Sequence, residues 1–145
     1  MKLLYYILTL FFLFSVKILF SQELVAYKNF KHPHKGQYIF SGKYFEAKID
    51  SKINLEIKKF FAGNRMYRII IDREINDDKL ILVLLDSKNR IFYKKTITKK
   101  VTYFDFEIDG DEKLKLKLLH PDKTKVPEKI NLFIGFKAYN KRTIF

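Results

Sequence analysis

The chain has 145 residues, 48% of them hydrophobic and 17% aromatic, which excludes an intrinsically disordered protein and leaves room for one domain with a real core. The net charge of +13 would attract anions such as nucleic acid, acidic headgroups or acidic polysaccharide, although scattered lysines can also serve solubility alone. Cysteine is absent, which excludes disulfides, a thiol nucleophile and a lipid-modified cysteine.

Residues 1–21 have the pattern of a secretory signal peptide: a basic start, an apolar stretch at 3–16 and a small residue, Ser21, before a polar one. We therefore predict a signal helix that is cleaved after Ser21, and a protein exported to the periplasm or the extracellular space. An uncleaved membrane anchor is the alternative, because Leu19 fits the cleavage pattern poorly. Lys17 argues against the anchor, since it interrupts a stretch shorter than the roughly 20 apolar residues that span a bilayer.

The rest of the chain is predicted to contain a lead-in segment (22–36), one β-domain (37–139) and a short basic tail (140–145). The lead-in has the composition of a short edge strand at 23–27 followed by a loop. Within the domain, strands are predicted at residues 37–40, 44–49, 52–61, 66–72, 80–85, 90–93, 101–108, 113–118 and 130–136. About eight to ten short strands with turn residues between them, and no helical pattern, predict an antiparallel β-sandwich.

The strongest strand signal is a predicted hairpin at residues 79–93. Residues 80–85 are an unbroken apolar run, 86–89 supply turn residues, and 90–93 are rich in β-forming residues. An apolar run of about six residues bounded by turns is typical of a strand buried on both faces, because a helix usually needs ten or more. We expect this hairpin to be central to the fold, with the other strands packed on it.

Two further segments, 52–61 and 113–118, alternate between apolar and polar residues, which is the period of a half-buried strand. In the second segment the leucines are expected to face the core and the lysines to face water. Asp109, Gly110 and Asp111 precede it and predict a hairpin turn, since Asp-Gly is a common hairpin signal. A calcium loop is the less favoured alternative for these acids.

Five short motifs resemble those of a group of small, uncharacterised exported bacterial β-sandwich proteins. They are Phe61-Ala62-Gly63-Asn64, Tyr67-Arg68-Ile69, Leu84-Leu85-Asp86-Ser87, Tyr103-Phe104-Asp105-Phe106 and Leu132-Phe133-Ile134-Gly135-Phe136-Lys137. A weaker similarity is to jelly-roll-like accessory modules of secreted peptidases. Members of the group often carry cysteines and a tryptophan, and this chain has neither. The resemblance implies an exported, jelly-roll-like β-sandwich with no settled activity.

Catalytic and metal-binding patterns are weak. No G-x-S-x-G motif is present, so a serine hydrolase site is not predicted. His32, His34 and His120 would make a zinc site only if the fold joined them, and loop histidines are usually solvated. Asp105 and Glu107 have the alternation of a carboxylate pair on one strand face, but pairing with cross-strand lysines is the simpler expectation. We predict no enzyme, no cofactor and no metal.

Aromatic and basic residues are the best indication of binding. The candidate binding surface consists of Tyr67, Tyr93, Tyr103, Lys113, Lys115 and Lys117. Tyrosine beside lysine can stack on sugars or bases, and core packing with the hydroxyl at the rim is the alternative. We predict an exported, non-enzymatic binding or structural module of the cell envelope that holds a protein partner or an anionic glycan. A carbohydrate-binding accessory module is the alternative function, and export argues against nucleic acid.

Overall fold

The computed structural model describes residues 23–26, 33–50, 54–74, 79–121 and 127–138. Within these ranges the chain forms nine strands and no helix, so none of them contains a helix that could span a membrane. The strands are β1 (Glu23–Ala26), β2 (Ile39–Ile49), β3 (Leu55–Phe61), β4 (Arg65–Arg73), β5 (Leu80–Leu85), β6 (Ile91–Ile97), β7 (Val101–Ile108), β8 (Glu112–Leu119) and β9 (Glu128–Ala138). The predicted all-β class is confirmed. The predicted signal segment and basic tail lie outside the described residues.

The nine strands form two antiparallel sheets. One has five strands in the order β1-β2-β9-β4-β7, and the other has four strands in the order β3-β8-β5-β6. Consecutive strands of the described chain pair only at β1–β2 and β5–β6, so the other connections pass from one sheet to the other. The strand predicted in the lead-in segment is β1, at the edge of the five-stranded sheet.

Side chains from both sheets meet in one hydrophobic core, and strand alternation produces it. In β7, Phe104, Phe106 and Ile108 are buried while the residues between them are exposed. In β8 the leucines are buried and the lysines lie on the opposite face, as the sequence predicts. Burial of each large apolar side chain stabilises the fold by about 1.5–3 kcal/mol. Because the chain has no cysteine, this packing has to hold the sheets together.

The predicted hairpin is confirmed as β5 and β6, but it is not the centre of the fold. β5 lies inside the four-stranded sheet, and its alternate leucines are fully buried. The turn closes where the Asp86 amide donates to the Arg90 carbonyl at 3.0 Å, and Asn89 takes a left-handed φ of 60°. β6 extends to Ile97 and forms the edge of its sheet, so most of its side chains are exposed.

The two strands predicted on either side of Ser41 are one continuous strand, β2. Phe40 pairs with Gly135 of β9, and Tyr44 pairs with Phe133, so β2 has two more residues than β9 between these pairs. A bulge absorbs the extra residues without ending the strand. A Cβ at Gly135 would lie 2.6 Å from the Phe40 ring, so the ring packs closely only over glycine. The Ser-Gly signal therefore marks a bulge and not a turn.

The hairpin predicted at Asp109, Gly110 and Asp111 is wrong, because β7 and β8 belong to different sheets. This turn crosses between the sheets beside the β3–β4 turn. The Asn64 amide donates to the Asp109 carbonyl at 3.2 Å, and the Gly63 amide donates to Asp111 Oδ1 at 2.8 Å. A Cβ at Gly63 would lie 2.6 Å from the Asp109 carbonyl oxygen, so only glycine allows the turns to approach this closely. The Asp111 carboxylate is thus used to join two turns.

A buried polar cluster joins the start of β9 to the end of β4 and the residue after β8. Arg73 and Glu128 are each 1% exposed and form a bidentate ion pair, with Nε–Oε1 at 2.5 Å and Nη2–Oε2 at 2.9 Å. Arg73 Nη1 also donates to the Ile97 carbonyl at 3.3 Å, and His120 Nε2 lies 3.0 Å from Glu128 Oε2. His120 therefore contacts a carboxylate that already binds an arginine. His32, its possible partner in a zinc site, lies outside the described residues.

Candidate functional site

The outer face of the four-stranded sheet carries a row of lysines. In β8 the alternate leucines are buried, so Lys113, Lys115 and Lys117 project from the opposite face. Alternate residues of a strand are about 7 Å apart, so the three lysines leave the sheet in one row along β8. The three lysines of the predicted binding surface therefore do share one surface.

Neighbouring strands extend this row in both directions. Lys58 of β3 is paired in register with Lys115, and Lys94 of β6 lies across Val83 from Lys117. Val83 faces outward between these two lysines and yet is only 8% exposed, since long lysine stems can cover apolar surface. We call this set the lysine face. It consists of Lys58, Lys94, Lys113, Lys115 and Lys117.

One carboxylate, Glu56 of β3, borders the lysine face. Its Oε1 lies 3.8 Å from Lys115 Nζ and its Oε2 lies 3.1 Å from Lys117 Nζ. Partial burial opposes ionisation, but the hydrogen bond from Lys117 and the charges of the nearby lysines outweigh it and lower the pKa of Glu56. The other three lysines of the face have no carboxylate partner among the described residues. Five lysines against one glutamate leave an excess of four positive charges.

A pocket of about 480 Å³ opens at one end of the lysine face, beside the β5–β6 turn. Its described lining residues include Lys58, Lys59, Lys113 and Lys115, and Asp86 is the one acid among them. Backbone and side-chain hydrogen bonds from Arg90 lower the pKa of Asp86, and the two side chains form an ion pair at 2.6 Å. Because Asp86 is already neutralised by Arg90, the lysines decide the sign of the potential in the pocket.

The tyrosines predicted with these lysines lie elsewhere. Tyr67 is 4% exposed and stacks on Phe106 in the core, and its hydroxyl donates to the Ala62 carbonyl at 3.1 Å. Its position in β4 points inward, which corrects its place on the predicted surface. Tyr93 is half-buried and stacks on Phe104 with ring centroids 5.4 Å apart. Neither ring is available as an exposed platform for a ligand.

Tyr103 is 44% exposed, but it belongs to a cluster on the five-stranded sheet. The Arg68 guanidinium lies between the rings of Tyr38 and Tyr103, 4.3 Å from each centroid. It also makes two hydrogen bonds of 2.7 Å to Asp105 and one of 3.1 Å to the His34 carbonyl. Asp105 therefore pairs with an arginine on the neighbouring strand, which is neither the predicted carboxylate pair nor the predicted lysine contact.

Electrostatics of this cluster follow from its contacts. The hydrogen bonds from Arg68 hold the pKa of Asp105 below its ordinary value. Burial, with the Asp105 carboxylate as a further cause, raises the pKa of Tyr38 to about 12. This cluster could not be predicted from the sequence, because its members come from β4, β7 and the segment before β2 and share no local pattern.

A second pocket, of about 410 Å³, lies beside the edge strands β6 and β7. Its lining includes His34, Lys95, Thr98, Lys99 and Tyr103, and none of the described residues that line it carries a carboxylate. Across the described parts of the chain, no three or more His, Cys, Asp or Glu side chains are grouped as a metal site would require. The lysine face is therefore the strongest candidate for a functional surface.

No family model matches this chain, and no curated protein matches it either, so the resemblance to exported β-sandwich proteins stays a prediction.

Proposed function

We propose that the two sheets form a β-sandwich of the jelly-roll type. If β1 is set aside, the strand orders β2-β9-β4-β7 and β3-β8-β5-β6 follow the winding of two Greek keys between two four-stranded sheets. The hydrophobic core shared by both sheets supports this arrangement. Such a fold hosts many unrelated functions, so the function has to be argued from the lysine face.

We propose that the protein is an exported, non-enzymatic binding module that holds an anionic component of the cell envelope. The observation that carries this proposal is the excess of four positive charges that the described residues place on one sheet face, next to a pocket where Asp86, the one acid among the described lining residues, is already paired. Clustered charge of one sign attracts a ligand of the opposite sign and raises its association rate. The apolar pattern of residues 1–21 supports export.

Two other partners fit the described surface less well. Cores of protein interfaces are depleted in lysine, whereas lysines occupy the middle of this face. A carbohydrate-binding accessory module needs a row of exposed aromatic rings, but the exposed rings of Phe60, Phe92 and Tyr103 lie on three different strands. An anionic partner therefore explains more of the surface than either of them.

The proposal is tested by binding of the purified protein, in the form in which its cells produce it, to isolated native envelope at low and high salt. We expect binding that falls with salt and that is lost in the variant K113Q/K115Q/K117Q. The matched control is K43Q/K48Q/K100Q, which removes three exposed lysines outside the lysine face and should bind as the wild type does. Equal binding by both variants, or binding that is insensitive to salt, would contradict the proposal.

A further inference from the structure

We infer that the ligand of the lysine face is a linear polyanion that lies along β8, and not a compact anion held in the pocket. This inference rests on the proposed function and adds the shape and chemistry of the ligand. Lys113, Lys115 and Lys117 occupy alternate positions on one face of β8, and this row begins at the pocket. From Lys113 to Lys117 the row spans about 14 Å, since each residue of a strand adds about 3.4 Å.

Flanking charges set the direction of the path. Glu56 borders the row on the β3 side and lies between Lys115 and Lys117, so it repels an anion there. On the other side, Lys94 lies two strands from Lys117, across Val83. The favourable path therefore starts at the pocket, follows β8 for about 14 Å and then crosses two strand spacings of about 4.8 Å each toward β6, a length of about 23 Å in all. A chain of repeated anionic groups can occupy this path, whereas one small anion covers only a part of it.

The type of cation also favours a polymer over a specific small anion. The lysine face contains no arginine, so it lacks the planar fork that recognises one carboxylate or phosphate in a bidentate way. Lysine acts as a point charge on a flexible stem, and affinity then depends on how many charges are engaged together. One of the five ammonium groups is held in place by a neutral acceptor, since Lys115 Nζ donates to Asn89 Oδ1 at 2.9 Å.

An acidic bilayer surface is the competing partner, and the apolar residues disfavour it. Phe60 and Ile91 are 55% and 63% exposed on the edge strands β3 and β6 of this sheet. They are three strands apart, about 14 Å, with lysines between them. Surface-bound proteins usually insert one continuous apolar face into the boundary of the bilayer, and two separated side chains do not make such a face.

The test measures binding of the protein, as its cells produce it, to orthophosphate, tripolyphosphate and long-chain polyphosphate by titration calorimetry. We expect affinity to rise steeply with chain length and to fall with salt. For single-stranded polyanions, each engaged charge contributes about −0.7 to the slope of log K against log salt. The slope of K113Q/K115Q/K117Q should therefore be less steep than that of the wild type by about 2. At 0.1 M salt this corresponds to a loss of about a hundredfold in affinity, while K43Q/K48Q/K100Q should stay close to the wild type.

The outcomes separate this inference from the proposed function. If orthophosphate binds as tightly as the long chain, the polymer inference is wrong, and the salt-dependent envelope binding can still stand. The same holds if vesicles with acidic lipids bind through these lysines while polyphosphate does not. If the substitutions on β8 change neither envelope binding nor polyphosphate binding, both the inference and the proposed function fail. Urea unfolding of both triple variants confirms that a lost signal does not come from a lost fold.

Discussion

Replacement of Glu128 by glutamine should destabilise the protein strongly, because it removes the carboxylate charge that forms a bidentate ion pair with Arg73 in the core. Both side chains are 1% exposed, and the pair is bidentate, at 2.5 and 2.9 Å. Breaking a buried pair of this kind costs about 3–5 kcal/mol, a large fraction of the roughly 5–15 kcal/mol that holds a typical domain together. The free energies of unfolding of the wild type and of E128Q are measured by urea titration at neutral pH. They can be compared directly if the two proteins unfold with the same m-value.

Two further variants make this prediction specific. E46Q removes the partly exposed ion pair between Glu46 and Lys129, at 3.0 Å, and should change stability several-fold less than E128Q. The double variant R73M/E128M removes both charges, so it should recover much of the loss. The reasoning is refuted if E128Q costs less than about 1 kcal/mol, or if the double variant is less stable than E128Q.

Two other predictions concern the turns between the sheets and the response to acid. G63A should cost about 1–3 kcal/mol, because its Cβ would meet the Asp109 carbonyl at 2.6 Å, whereas G110A has nothing within 4 Å and should be tolerated in the same urea titration. Equal effects of the two substitutions would show that the turns can move apart. For Asp105, whose pKa is lowered by Arg68, the pair stabilises the fold above the unfolded pKa of about 3.9 and stops doing so as the pH falls through the lower folded value. The stability difference between wild type and D105N should therefore shrink below about pH 4, and a difference that stays constant from pH 7 to pH 2 would contradict this account.

The lysines of the candidate site could be predicted from the sequence, because strand alternation is a local property. A strict period of two in residues 113–118 fixes which side chains share a face, whatever the sheet around them looks like. The contributions of Lys58 and Lys94 could not be predicted, since they depend on which strands lie beside β8. The pocket depends in the same way on the β5–β6 turn lying next to the start of β8.

Tyr67 shows the limit of local patterns most clearly. A tyrosine next to an arginine in a strand has no sequence feature that tells whether its ring points to the core or to solvent. The structure places Tyr67 inward, against Phe106, and places Arg68 outward between two rings. The face of a strand that becomes buried is chosen by the other sheet, which comes from distant parts of the chain.

By itself, the sequence determined the all-β class, most of the strands, the β5–β6 hairpin and the alternation that exposes the β8 lysines. These follow from hydrophobic period and turn chemistry within a few neighbouring residues. Only the tertiary structure decided that the turn at Gly110 crosses between sheets, that Arg73 and Glu128 meet in the core, and that five lysines share one face with a single glutamate. Each of these depends on contacts between residues far apart in the chain, and strand order, which no local pattern encodes, brings them together.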